Sequence, residues 1–221
     1  MNLFITLGGL LILTLMLASL LRRYQERMAE KRLRIQRIIR GVDEIEDLLR
    51  QSTGCSLPAE IERVLREDVL ARFHLVRKIS RRFKGIAALI EGAEQALAQP
   101  PGGPRQRVQD KYQLQQVIKD LGELMDFLRA GRLLQPLPVE QLRRYVEQVG
   151  TRRAECVYRF HLEQAVRLRQ AGRLHDALTH CNRVRTFVHE YGPANEQVKA
   201  WYAEAEVMRK ELREAEVAAD E

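Results

Sequence analysis

Hydrophobic residues are arranged in two different ways along this chain. Residues 3–21 form a continuous apolar run, LFITLGGLLILTLMLASLL, and Arg22 and Arg23 follow it directly. The 19 residues of this run would rise about 28 Å as an α-helix, which is close to the hydrocarbon thickness of a bilayer. The pattern therefore predicts a helix that crosses a membrane once.

A cleaved signal peptide is the alternative interpretation of residues 3–21. Signal peptides have a basic region before the apolar core and a small-residue cleavage site after it. Only Met1 and Asn2 precede the run, and Ala18 and Ser19 give one poor cleavage site. We therefore expect residues 1–21 to remain as a transmembrane anchor.

After the anchor, apolar residues recur at helical spacing. Between residues 22 and 51 they step alternately by three and four, which is the pattern of a coiled-coil seam. The seam residues are Ile35, Ile38, Val42, Ile45 and Leu49. A second apolar face runs from Ile61 to Leu97 and predicts one long helix of about 60 Å if straight, with Gly85 and Gly92 as its weakest points. The seam would either pair two copies of the chain or pack within one chain.

Proline and glycine divide the chain. Three prolines within residues 100–104 exclude regular helix or sheet there, and we place a linker at residues 99–105. It separates a membrane-proximal helical hairpin or coiled coil, residues 22–98, from a C-terminal helical array, residues 106–217, with an acidic end at 218–221. Helices of the array are predicted at residues 105–130, 139–171, 174–191 and 194–217. The predicted fold class is all-α.

Composition agrees with a helical protein. Charged residues make up 30% of the chain and aromatic residues only 6%, and no stretch alternates like a strand. The three cysteines are widely spaced and match no disulfide framework, which favours a reducing compartment. Arginine greatly outnumbers lysine, which indicates a GC-rich bacterial genome.

Basic residues next to the anchor predict its orientation. Residues 22–40 carry eight Lys or Arg against two Glu, and such an excess marks the cytoplasmic side of a membrane. We therefore expect a single-pass protein of the bacterial inner membrane with its N-terminus outside and its C-terminal domain in the cytoplasm. The residues expected to bind anionic headgroups are Arg22, Arg23, Arg27, Lys31, Arg32 and Arg34. A role in setting the orientation alone is the alternative.

A second basic cluster comprises Arg72, Arg77, Lys78, Arg81, Arg82 and Lys84. A solvated helix face is the default interpretation, and contact with lipid, an acidic protein or nucleic acid is the functional one. Nucleic acid is not favoured, because no recognised nucleic-acid module accompanies the cluster. Arg77, Lys78, Arg81 and Arg82 are the candidates for binding a partner.

Residues 158–208 resemble a tetratricopeptide repeat unit. Ala165, Gly172 and Ala177 stand where that repeat has a small residue on its first helix, a turn glycine and an alanine on its second helix. His161 departs from the pattern, since a large apolar residue is usual there. An ordinary helical hairpin with a glycine turn is the alternative.

The resemblance implies a helical surface that binds a protein. Tyr158, His161 and Arg167 are then candidate contact residues on the first helix of the unit. The partner would be a peptide or a helix of another protein.

The sequence shows no catalytic signature. No His or Cys pair has the tight spacing of metal ligands, and no phosphate-binding loop or nucleophile motif occurs. We therefore predict no catalytic, cofactor-binding or metal site and no enzymatic activity. The predicted function is a membrane-anchored scaffold or adaptor that binds an unknown protein partner, with a homodimer through the coiled coil as an option. The alternatives are a membrane-tethered nucleic-acid-binding protein and a non-catalytic subunit of a larger membrane complex.

Overall fold

The computed structural model describes residues 2–52, 57–100 and 108–220, and the side chains of residues 16–51, 57–100 and 108–218. Within these residues the chain forms seven α-helices and no strand, so the predicted all-α class is confirmed. The helices are α1 (Asn2–Ser52), α2 (Ala59–Ile79), α3 (Ile86–Ala98), α4 (Lys111–Arg129), α5 (Val139–Gln170), α6 (Leu174–Tyr191) and α7 (Glu196–Asp220).

Two predicted segments fall partly outside the described residues. The predicted anchor, residues 1–21, coincides from Asn2 onward with the start of α1, but its side chains before Met16 lie outside the described ones. In the part of the chain that was described, none of the helices combines the length and the hydropathy of a membrane span. Most of the predicted linker at 99–105 also lies outside the described residues.

The first part of α1 stands apart from the rest of the molecule. Every described side chain from Met16 to Arg34 is exposed, and the first buried residue of the helix is Ile35. We call residues 16–34 the stalk. Because α1 continues without a break to Ser52, the stalk and the seam belong to one helix.

The seam of α1 packs against α2 of the same chain. Four of its five residues are buried in one core cluster with the apolar face of α2, and Leu49 is half-buried. The two helices run antiparallel, since Gly41 of α1 lies against Arg72 of α2 and both are similarly far from the short connection. A homodimer through this seam would therefore require α2 to leave it.

The prediction of one long helix over residues 61–97 is wrong. Ser80 is extended, and Gly85 has a φ of +80°, a left-handed conformation that favours glycine. The chain reverses between these two residues, and α3 folds back onto α2. Arg66 of α2 donates hydrogen bonds across this second hairpin to the carbonyl oxygens of Ala96 and Gln99.

The remaining helices follow in antiparallel steps. Asp110 caps α4 by accepting a hydrogen bond of 2.8 Å from the N–H of Gln113. Helices α4 and α5 are joined through Gly131, and α5 and α6 through Gly172, and both glycines have positive φ. Helix α7 returns along α6 and also contacts α5, so that α5, α6 and α7 form a three-helix layer.

The helices on the two sides of the predicted linker share one core. The largest cluster of buried side chains contains Ile45 of α1 and Leu65 of α2 together with Leu121 of α4 and Val149 of α5. Arg144 of α5 also forms an ion pair with Glu60 of α2 at 2.6 Å. The domain boundary itself stays a prediction.

Candidate interaction surfaces

The basic residues of the stalk point into solvent. All six residues predicted to bind headgroups are exposed. Arg22 pairs with Glu26 at 3.1 Å, one helical turn away, and both side chains are largely exposed. Such exposed pairs contribute little to stability, so the positive charge of the stalk remains available to a partner.

The second basic cluster is located at the reversal between α2 and α3. Five of its members are exposed, and we call them the basic turn: Arg77, Lys78, Arg81, Arg82 and Lys84. Within the described residues, no carboxylate lies within ion-pair distance of these five side chains. Arg72 was predicted to belong to this surface, and that prediction is wrong because Arg72 is buried.

Arg72 instead joins three parts of the fold. Its Nε donates to Asp68 Oδ2 at 2.6 Å, and its Nη2 donates to the carbonyl oxygen of Arg132 at 2.6 Å. The other oxygen of Asp68 accepts from the N–H of Leu134 at 2.6 Å. We call this arrangement the Asp68–Arg72 clamp, because it fixes the α4–α5 connection to α2.

Gly41 provides the space for the clamp. A Cβ at this position would overlap Nη1 of Arg72 and lie 2.9 Å from its Cζ. Arg132 also forms an ion pair with Glu44, one turn further along α1. Helix α1 is therefore held to the distal helices at the level of the clamp.

The helical hairpin predicted from the tetratricopeptide-like spacing is present as α5 and α6. Ala165 and Ala177 are both completely buried where the two helices meet, and Gly172 makes the turn with a φ of +74°. These residues thus have the structural roles that the spacing indicated. Membership of the repeat family stays a prediction.

His161 forms a pair with His180 across this hairpin. Their Nδ1 atoms are 2.9 Å apart, so one ring donates and the other accepts. Burial, together with His180, Arg183 and Lys111, lowers the pKa of His161 to about 4. Burial also lowers the pKa of His180. The pair is therefore neutral near pH 7 and serves as a polar contact between α5 and α6.

A cavity of about 470 Å³ opens beside His161 between α4, α5 and α6. Its walls combine apolar, aromatic and polar side chains, which are Ile118, Val157, His161, Thr179, Asn182, Arg183, Thr186, Phe187, Glu190 and Tyr191. Arg153 supports the aromatic wall, because its guanidinium lies 5.3 Å from the ring centre of Phe187 and 5.6 Å from that of Tyr191. We call this concavity the distal cavity.

The three candidate contact residues of α5 lie in three different surroundings. Tyr158 stacks on Trp201 of α7, with ring centres 5.3 Å apart, and donates a hydrogen bond to Glu204. Burial and Glu204 raise the pKa of its hydroxyl. His161 faces α6, and Arg167 is exposed. Tyr158 thus fixes α7 to α5, whereas His161 belongs to the distal cavity.

The described residues contain no group of three His, Cys, Asp or Glu side chains arranged to bind a metal ion. Burial raises the pKa of the thiols of Cys156 and Cys181, so both are protonated and poor nucleophiles near pH 7. The prediction that the chain is not an enzyme stays a prediction.

The Asp68–Arg72 clamp and the His180 contact were missed by the sequence reasoning. Asp68 and Arg72 are four residues apart on α2, and that spacing is a signal of an ion pair along one helix face. Their burial has no comparable signal in the sequence. Comparisons with protein-family models, with curated proteins and with solved structures found no match to this chain. What the protein does must therefore be inferred from its own residues.

Proposed function

We propose that this protein is held in a membrane by residues 3–21 and acts as a scaffold that binds a protein partner through its distal helices. The observation that carries this proposal is the stalk. Met16, Leu17, Leu20 and Leu21 are each about 60% exposed, and none of the described residues outside α1 covers them. A helix that is apolar all round requires an apolar surrounding, and the described part of the chain offers none to Met16–Leu21.

The charges that follow support a cytoplasmic position for the folded part. The eight Lys and Arg of residues 22–40 begin directly after the apolar run. Each would have to cross the bilayer if the orientation were reversed, which the positive-inside rule disfavours. The bacterial inner membrane is the membrane we propose.

Membrane insertion is tested by alkaline carbonate extraction of membranes that contain the full-length protein. We expect the protein to stay in the membrane pellet and the double variant Leu10→Arg/Leu13→Arg to be released, because each charge is costly at the centre of a membrane helix. Ala87→Arg/Ala88→Arg adds the same charge at exposed positions of α3 and should stay in the pellet. Release of the unchanged protein, or a mature chain that begins after Leu20, would contradict the anchor.

A protein partner is supported by the distal cavity. Arg183 and Tyr191 are exposed at its edge, and Arg and Tyr are among the residues that contribute most at protein interfaces. The layer of α5, α6 and α7 holds these side chains on rigid helices, which reduces the entropy lost on binding.

Partner binding is tested by site-specific photo-cross-linking in native membranes. A cross-linker at position 183 or 191 should give one and the same protein adduct, whereas the exposed position 213 on α7 should not. The adduct formed from position 191 should disappear in an Arg183→Glu variant. Equal adducts at positions 191 and 213 would refute a partner site at the distal cavity.

A further inference from the structure

The charges of the first two helices are segregated along their length. In α1, residues 22–40 carry eight Lys or Arg and two Glu, whereas residues 41–52 carry four acids and one Arg. The order is opposite in the next segment. Residues 59–68 carry four acids and two Arg, whereas residues 69–85 carry six Lys or Arg and no acid. Residues 22–52 and residues 59–85 therefore each have one basic and one acidic end.

Antiparallel packing brings the two basic ends together. Because Gly41 lies against Arg72, Ile79 at the end of α2 is located at the level of Arg34 on α1. The basic turn thus lies beside the base of the stalk and faces toward the apolar run. If the two helices ran parallel, the basic part of α1 would instead lie beside the acidic part of α2.

Most carboxylates of the acidic ends are paired with a cation of the same chain, whereas the cations of the basic turn are not paired with a described carboxylate. Ion pairs at the acidic ends include Arg63–Glu67 at 3.0 Å, Arg50–Asp47 at 2.8 Å and Arg144–Glu60 at 2.6 Å. The five side chains of the basic turn are exposed, and no carboxylate of the described residues pairs with them. Their charge is therefore available to an external anionic surface.

The basic turn lies close enough to the proposed membrane for its charges to interact with the headgroups. Arg34 lies about 20 Å along α1 from Leu21, where the apolar run ends. A headgroup layer about 5–8 Å thick and a screening length of about 8 Å together cover most of that distance. Residues 80–85 and their long side chains extend from the end of α2 back toward the bilayer.

We propose that the basic turn binds the anionic headgroups of the membrane that holds the anchor. It is a second contact with the bilayer, and it fixes the hairpin of α1 and α2 at one tilt and one rotation relative to the lipid surface. The inference rests on the proposed membrane anchoring. Each cation near an anionic surface multiplies the equilibrium for surface contact by about fivefold at low salt. Removing three cations should then weaken the contact by about 100-fold.

The experiment measures energy transfer from a fluorophore near the basic turn to a labelled lipid headgroup. Full-length protein carrying Cys55→Ser and Ala88→Cys is inserted into nanodiscs of phosphatidylcholine, with or without one third phosphatidylglycerol. Ala88 is exposed in the first turn of α3, and a second sample carries the fluorophore at Ala59, which is exposed at the opposite end of the hairpin. We expect phosphatidylglycerol to increase transfer from position 88 but not from position 59, and high salt to reverse the increase.

Matched charge variants identify the residues responsible. Arg81→Gln/Arg82→Gln/Lys84→Gln should abolish the increase at position 88. Arg167→Gln/Lys210→Gln/Arg213→Gln removes the same charge from exposed positions of the distal helices and should leave it unchanged.

The outcomes separate this inference from the proposed anchoring. If the protein inserts into the discs but phosphatidylglycerol has no effect at position 88, the inference is wrong while the anchor stands. If the protein does not copurify with the discs at all, the proposed membrane anchoring is wrong. A response at position 88 to a DNA duplex at physiological salt, without a response to phosphatidylglycerol, would assign the basic turn to nucleic acid and overturn the inference.

Discussion

Replacing Gly41 with alanine gives a sharp test of the Asp68–Arg72 clamp. In an exposed helix interior this change would stabilise the protein by about 1 kcal/mol, because alanine has the higher helix propensity. At position 41 the new Cβ would overlap the guanidinium of Arg72. The guanidinium cannot move freely, since it is buried and bonded to Asp68 and to the carbonyl oxygen of Arg132.

The size of the effect on the free energy of unfolding follows from the state of Asp68 once Arg72 is displaced. Asp68 is only 6% exposed, and without Arg72 it would keep a single described hydrogen bond, from the N–H of Leu134. Breaking a buried ion pair by removing one partner costs about 3–5 kcal/mol. Subtracting the propensity gain of about 1 kcal/mol, we expect Gly41→Ala to lower the free energy of unfolding by about 2–4 kcal/mol.

Urea unfolding followed by circular dichroism measures this difference. Gly92→Ala is the matched control, because Gly92 lies inside α3 and a Cβ there would meet no atom within 4 Å. The control should gain about 1 kcal/mol. In an Arg72→Ala background, Gly41→Ala should also become stabilising, since the overlapping group is gone.

An unfolding free energy for Gly41→Ala equal to or above that of the unchanged protein would refute the reasoning. So would a Gly41→Ala penalty that persists in the Arg72→Ala background. Either result would show that the guanidinium of Arg72 can keep its place in the clamp when residue 41 has a Cβ.

Three further predictions concern the seam, the histidine pair and a helix cap. Ile38→Glu with Val42→Glu should lower the free energy of unfolding by at least about 3 kcal/mol, because both side chains are buried against α2. A halved mass in light scattering at unchanged stability would instead show that the seam joins two chains. The pKa of His161 is lowered from 6.5 to about 4, so the unfolded chain takes up the proton first as the pH falls. Stability should then be complete above pH 6.5 and decrease by up to about 3 kcal/mol toward pH 4. His161→Gln should flatten this part of the pH dependence of urea unfolding, and an unchanged dependence would count against the assignment. Asp110→Ala should cost about 1 kcal/mol through loss of the bond to the N–H of Gln113, and thermal unfolding without any shift would contradict that role.

The sequence predicted most helix ends in the distal part because proline and glycine mark them. Helix α5 was expected over residues 139–171 and spans Val139–Gln170, between Pro138 and Gly172. Helix α6 was expected over residues 174–191 and spans Leu174–Tyr191. Proline fixes φ at a helix start, and glycine permits the positive φ that ends one, so local chemistry is sufficient here.

The reversal between α2 and α3 could not be predicted from periodicity. The apolar face runs through the reversal without interruption, and Phe83 within it is half-buried against the same core. A helical repeat of apolar residues specifies which face is buried but not whether the chain turns back. Gly85 was identified as a weak point, and its positive φ is where α3 begins.

The helices against which the predicted residues pack could not be predicted from the sequence either. The seam of α1 has heptad spacing, which any antiparallel or parallel helix can satisfy, and α2 of the same chain satisfies it. Tyr158 and His161 are three residues apart on α5 but face α7 and α6 respectively. Only the packing of the three-helix layer determines which helix each of these two side chains contacts.

The unbroken course of α1 from Asn2 to Ser52 makes it a continuous helical shaft between the proposed membrane anchor and the folded body. One residue inserted between positions 24 and 33 would turn everything beyond it by about 100° about the shaft and advance it by only about 1.5 Å. The cations of the basic turn would then point in a different direction around the helix axis, at nearly the same distance from the apolar run. The phase of this helix, more than its length, sets the direction in which the distal surface is presented.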